Sequence, residues 1–227
     1  NLMTLTTISS GTRICDIWPD WPERIGGYAI ERPLGEGGMA CVFLGRRDGK
    51  PYAIKVANRL VQSNSRLMER FHREASAIQR LDHPHIVQIV EVGWEGPEPF
   101  IVFEYLENGS LDQMVNPDDP LDISSVIQYA IQMAEALQYA HNQGVIHRDI
   151  KPRNIFLDDD FNVKLGDFGL AHLADRSTLT QKGEFFGTPD YLAPELLKGG
   201  RSSVQTDMYA LGVTLFEVKD YILPSPM

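Results

Sequence analysis

At 227 residues and 43% hydrophobic content, the chain can bury a core as one large or two small domains. A formal charge of −10 argues against nucleic acid as a main partner, and two cysteines, Cys15 and Cys41, are too few for a disulfide framework or metal centre and fit a reducing, cytoplasmic setting. No apolar run reaches the roughly 18 residues of a membrane span, and no basic-then-apolar leader opens the sequence.

Residues 1–25 lack periodicity and read as a leader segment, with Trp18 and Trp21 in a turn-prone Trp-Pro-Asp-Trp-Pro stretch. From Tyr28 the pattern becomes strand-like over Tyr28 to Leu34, Cys41 to Arg46 and Pro51 to Val56. Between the first two lies Leu34-Gly35-Glu36-Gly37-Gly38-Met39-Ala40-Cys41-Val42. Glycines there let backbone amides approach a polyphosphate without an intervening Cβ, although a plain hairpin turn would use the same residues. Cys41 itself is most simply a half-buried strand position.

Lys55, in Ala53-Ile54-Lys55, sits among apolar neighbours and needs a counter-charge. A helix follows, with Leu67, Phe71, Ala75, Ile78 and Leu81 at helical spacing and Glu74 inside the apolar stripe. A buried-face glutamate also needs a partner, so a Lys55–Glu74 ion pair is expected. His83-Pro84-His85 reads as a turn before a strand over Ile86 to Val92, since the proline breaks any helical ligand spacing. Phe100 to Glu104 is a further strand, ending in a turn at Asn108-Gly109. Ile123 to His141 is an amphipathic helix with a stripe of Ile123, Ile127, Ala130, Ala134, Leu137 and Ala140, closed by Gly144.

Ile155-Phe156-Leu157 and Val163-Lys164-Leu165 flank an acidic turn, Asp158 to Asn162, which gives a β-hairpin. The turn lacks the glycine and spaced glutamate of a calcium loop. His147, Arg148, Asp149, Lys151 and Asn154 precede the hairpin, and Asp167, Phe168 and Gly169 follow it. A hairpin returns its ends to one edge, so two carboxylates, an amide and an amine converge. Phosphoryl transfer needs such a set: a proton acceptor, oxygen ligands for Mg²⁺ and a cation near the phosphate.

His-Arg-Asp-Ile-Lys-Pro-Arg-Asn followed by Asp-Phe-Gly resembles the catalytic core of the eukaryotic-type (Hanks-type) protein kinases. Asp149 to Lys151 spacing resembles the serine/threonine branch, and GEGGMA, RFHREASAI and GTPDYLAPE resemble its bacterial members. The resemblance implies an α+β, two-lobed protein-kinase fold with a small β-rich N-lobe over 26–106, carrying one helix, and a mainly helical, incomplete C-lobe over 107–218. Residues 219–227 form an unmatched tail.

It further implies ATP and Mg²⁺ as cofactors and a protein Ser or Thr as acceptor. Asp149 is the implied general base, Lys151 the neutraliser of γ-phosphate charge and Thr188 a contact to both. Asn154 and Asp167 are the implied Mg²⁺ ligands. Nucleotide is implied to lie against Leu34, Gly35, Glu36, Gly37, Gly38, Met39, Ala40, Cys41, Val42, Ala53, Lys55, Glu74, Phe156 and the hinge at Glu104 and Leu106, whose backbone meets adenine, with Phe103 limiting the pocket behind. Ala40 replaces the third glycine of the kinase pattern, giving a stiffer loop. Residues 167–195 resemble an activation segment. Phosphate on Ser177, Thr178 or Thr180 would pair with Arg148. His147 is implied to pack near Phe168 and Ile78, and Asp207 to brace the His-Arg-Asp backbone from an otherwise apolar helix.

Without the later C-lobe helices that helix exposes a patch, which invites self-association or a covering partner. The alternative reading is an inactive homologue that binds a nucleotide or a partner. An ATPase or small-molecule phosphotransferase is disfavoured by GTPDYLAPE.

Overall fold

A computed structural model of the chain describes residues 22–36, 40–57, 65–114, 121–168 and 189–220. β1 (Arg24–Ile25), β2 (Tyr28–Glu36), β3 (Ala40–Arg47), β4 (Lys50–Ala57), β5 (Ile89–Glu95) and β6 (Glu98–Glu104) build one antiparallel sheet in the order β1-β2-β3-β4-β6-β5. Asp48 and Gly49 both take positive φ, 52° and 77°, and close the two-residue turn between Arg47 and Lys50. Pro33 is tolerated in β2 because the pairing to β3 is irregular on both sides of it.

The period of two sorts side chains between the sheet faces. Tyr28, Phe43, Ile54, Val56, Phe100 and Val102 are buried together on one face. The Phe100 ring lies so close to Gly26 and Gly93 that a Cβ at either would fall 2.2 or 2.5 Å from it. Ile101 and Phe103 belong to the other core, with Phe71, Ala75 and Ile78 of α1 (Ser65–Ile78). That core runs on without a break into the helical half, so one apolar body spans the sheet, the helices and the hairpin.

The strand expected at Ile86 to Val92 is displaced. β5 starts at Ile89, and Ile86 makes an isolated parallel bridge to Leu165 instead. Val87 N donates to Leu165 O at 2.8 Å and Leu165 N to His85 O at 2.9 Å, so residues 85–87 are bonded to the hairpin rather than to β6.

After α2 (Leu111–Met114), α3 (Ile123–Asn142) is capped by Asp122, whose Oδ1 accepts from Ser125 N at 3.0 Å. Its buried face overlaps the expected stripe only at Leu137 and Ala140. Tyr129, Gln132, Met133, Ala136, Leu137 and Ala140 are buried, whereas Ile123, Ile127 and Ile131 are 62%, 55% and 54% exposed. The helix has two apolar faces, and periodicity alone cannot say which one meets the core. The hairpin decides it. Gln132 Oε1 accepts from Val163 N at 2.9 Å and its Nε2 donates to Asn162 Oδ1 at 2.8 Å. This buried amide positions the hairpin of β7 (Ile155–Leu157) and β8 (Val163–Leu165). Asp158 Oδ1 closes the intervening turn by accepting from Asp160 N and Asn162 N, at 3.0 and 2.8 Å.

The short α4 (Pro194–Leu197) and then α5 (Val204–Asp220) complete the described residues. On α5, Asp207 is 1% exposed, while Met208, Tyr209 and Phe216 are exposed. No helix among the described residues is long and apolar enough to cross a membrane.

Candidate active site

The stretch 145–154 leaves α3 and enters β7 through a 3-10 turn at Pro152–Asn154. A proline at the start of that turn suits it, because its missing N–H would have no partner there anyway. Asn154 Nδ2 donates to Asp149 O at 2.8 Å and to Asp149 Oδ2 at 2.9 Å. Lys151 Nζ lies 2.9 Å from the same Oδ2. Asp149, Lys151 and Asn154 thus form one cluster, with the carboxylate held by an amine and an amide. Asn154 spends its nitrogen on Asp149, so its side-chain oxygen remains as the acceptor.

The other end of the hairpin is brought alongside by Gly166 N donating to Asn154 O at 2.9 Å. Asp167 follows, with φ of 57° in the left-handed region. Its Oδ1 is 2.7 Å from Lys55 Nζ. Burial pushes the Asp167 carboxyl up, but the Lys55 ammonium, by charge and hydrogen bond, with Lys151 adding to it, outweighs this and holds the carboxyl below its ordinary range. Lys55 shares its sheet face with Ala53, and its cross-strand neighbours are Val42 and Ile101.

His147 is fully buried, its ring 4.3 Å from that of Phe168, and its Nδ1 accepts from Asp149 N at 3.3 Å. Burial pushes its pKa down, against the nearby Asp207, Asp149 and Asp167 carboxylates, so the ring stays neutral. Beneath it, Asp207 Oδ2 accepts from His147 N and Oδ1 from Arg148 N, each at 2.8 Å, and His141 Nε2 lies 2.8 Å from Oδ2. The bracing role expected of Asp207 is therefore met by direct bonds.

The Lys55–Glu74 pair is not the pairing observed. Lys55 is held by Asp167, and Glu74 Oε2 lies 3.8 Å from Arg148 Nη1. The sequence shows that Glu74 needs a cation, but not which one. Arg148, at φ 71°, carries its guanidinium toward α1 and competes for that carboxylate.

Leu34, Gly35, Val42, Ala53, Glu104, Leu106 and Phe156 are half-buried, and Ala40 and Cys41 are buried in β3. The Glu36 side chain, Gly37, Gly38 and Met39 lie outside what is described, as do Ser177, Thr178, Thr180 and Thr188. Among the described residues no three His, Cys, Asp or Glu side chains gather as a metal cluster. The sequence reading missed Gln132, an amide inside an apolar helix face, and the side-chain link between Lys164 and Glu104 at 2.7 Å. Lys164 in the middle of a three-residue apolar strand was the available signal for the second.

A curled sheet over a helical half, with a carboxylate–amine–amide cluster and a lysine-bound aspartate at the two ends of one hairpin, defines the class, and residues 28–226 match the protein kinase domain. The chain belongs to the protein kinase family. It is 37% identical over 194 residues to a probable serine/threonine-protein kinase PknB of Lactococcus lactis, covering 84% of this chain and 31% of that protein. Over 199 residues it is 37% identical to the serine/threonine-protein kinase PrkC of Bacillus subtilis, covering 86% and 31%. Among solved structures, the PknI kinase domain of Mycobacterium tuberculosis superposes with a TM-score of 0.70 at 29% identity, over 88% of this chain and 75% of that one. The chain therefore spans about a third of the length of these two curated relatives.

Proposed function

We propose that this chain transfers the γ-phosphate of ATP to a serine or threonine hydroxyl of a protein. The observation that carries the reading is the Asp149–Lys151–Asn154 cluster, stapled through Asn154 O to the strand end that bears Asp167 and, through it, Lys55. Nucleotide lies in the cleft between the sheet and Phe156. The backbone of Glu104 and Leu106 meets the base, the loop Leu34 to Val42 covers the phosphates, and Lys55 binds them.

Asp149 orients the incoming hydroxyl and accepts its proton. Hydrogen bonds from Asn154 and Lys151 hold this carboxylate in place, and with a loose transition state such positioning supplies most of the catalysis. Lys151 Nζ, 2.9 Å from Asp149, is placed to offset charge on the transferring group. The Asn154 side-chain oxygen and the Asp167 carboxylate suit Mg²⁺, a hard cation that takes one or two protein oxygens and fills its shell with water and phosphate. When bound, Mg²⁺ neutralises phosphate charge. Lys55 Nζ carries three N–H donors, so it can bind nucleotide phosphate while it keeps its bond to Asp167 Oδ1. Phosphorylation at Thr178 or Thr180, read by Arg148, regulates the transfer.

The alternative, a domain that binds nucleotide or a partner without turnover, is not favoured by the relatives, which are named serine/threonine-protein kinases. Transfer of labelled phosphate from ATP to a generic protein acceptor, beside an Asp149→Asn control, separates the two. Label in the parent alone supports the kinase reading. Label in neither, with nucleotide binding retained, supports the binding domain. Free phosphate without labelled protein contradicts both.

A further inference from the structure

Glu104 ends β6 at the point where the chain leaves the sheet for the helical half. Its Oε1 accepts from Gln88 N and from Lys164 Nζ, both at 2.7 Å, and its own N donates to Gln88 O at 3.0 Å. Lys164 pairs across the hairpin with Phe156, so the two side chains share one face of it. The neighbouring rungs, His85 and Val87 to Leu165, run between the same two segments. Residues 85–88 are thus tied to β8 on one side and to the end of β6 on the other, and Lys164 closes that circuit ionically. The lysine and glutamate side chains are only 17% and 29% exposed. A half-buried ion pair is costly to desolvate and a weak source of stability unless its remaining hydrogen bonds are met. Here they are met by a backbone N–H, which fixes the carboxylate and with it the orientation of the peptide units at 104–106.

We infer that Lys164 is a positioning residue for the adenine end of the nucleotide: through the Glu104 carboxylate it sets the backbone that meets the base, and it tunes nucleotide affinity rather than the phosphoryl step. This rests on the proposed nucleotide reading of the cleft. No phosphate contact is asked of Lys164, which distinguishes it from Lys55 and Lys151 by the part of the ligand each would serve.

The test compares the parent chain with Lys164→Met and Lys164→Arg by displacement of a fluorescent ribose-labelled ATP, using adenosine and, separately, magnesium tripolyphosphate as competitors. Steady-state KM for ATP and kcat are measured in parallel. Lys164→Met is expected to weaken ATP and adenosine by about fivefold, the effect of about 1 kcal/mol. Tripolyphosphate displacement and kcat should stay within about twofold, since neither involves the base. Lys164→Arg should restore most of the loss by keeping the charge, whereas a fault of packing alone would not be so restored. Glu104→Gln keeps an acceptor for Gln88 N but drops the charge, and should reproduce the base-selective loss if Lys164→Met fails to fold. Unchanged adenosine affinity, equal weakening of adenosine and tripolyphosphate, or a fall in kcat at constant KM overturns the proposal. A parent chain that binds labelled ATP while Lys164→Met loses nothing overturns this inference alone. A parent that binds no labelled ATP overturns the nucleotide reading and this inference with it.

Discussion

The two ends of the β7–β8 hairpin carry similar charges but are held in different ways. Before β7, Asp149, Lys151 and Asn154 satisfy one another within six residues, and only the shape of one turn is needed to bring them together. On the β8 side, Asp167 takes its cation from Lys55, 112 residues earlier, and Lys164 within the strand takes its anion from Glu104, 60 residues earlier. The first end is a property of local sequence. The second records how the sheet sits on the helical half. The observed Lys55–Asp167 and Arg148–Glu74 pairs, in place of the expected Lys55–Glu74 pair, depend on that long-range placement.

The local end can be broken most severely. Asp149→Asn should lower phosphotransfer by about 10³-fold, within the range for removing a general base, and leave the melting temperature nearly unchanged, since asparagine keeps a side-chain oxygen to accept from Asn154 and Lys151. A similar loss of stability and activity together would mean that Asp149 serves the fold. Next comes the brace beneath it. Asp207→Ala strands the N–H groups of His147 and Arg148 and should cost about 3 kcal/mol in urea denaturation, as expected for removing one member of a buried charged network.

His147 gives a pH test. Burial lowers its folded pKa below the value of about 6.5 expected in the unfolded chain, so the unfolded state binds the proton first. Its contribution is complete above that pH and is lost as pH falls below it, by at most about 1.4 kcal/mol per unit. Urea midpoints followed from pH 7.5 to 5.5 should show this slope, and His147→Phe should flatten it. The distal end should yield the smallest effect on stability. The Arg148–Glu74 contact of 3.8 Å joins partly exposed groups, so a double-mutant cycle of Glu74→Gln with Arg148→Met should give a coupling below about 1 kcal/mol. A larger coupling would show that the pair is held more firmly than this geometry allows.

The same contrast explains what could be read from the sequence. The hairpin, the convergence of its flanking residues and the main strands follow from period-two patterns and an acidic turn, which are local. Glu74 announced its need for a cation through its place in the α1 stripe, but the identity of that cation depends on where α1 rests. The buried face of α3 was misassigned because Ile123 and Ile127 satisfy the same spacing as the residues that meet the hairpin. What settles the face is Gln132, whose value lies in two bonds to Asn162 and Val163 that no periodicity reports. In the same way β5 begins late because residues 85–87 are claimed by Leu165, a long-range pairing.

In the proposed kinase reading both hairpin ends face one bound triphosphate. Titration of isotope-labelled chain with a non-hydrolysable ATP analogue and Mn²⁺, read as paramagnetic broadening of amide signals, tests this. The Asn154 side-chain amide and the Gly166 backbone amide should broaden together, and only when the nucleotide is present. Broadening at one end alone, or at neither while nucleotide binds, would contradict it.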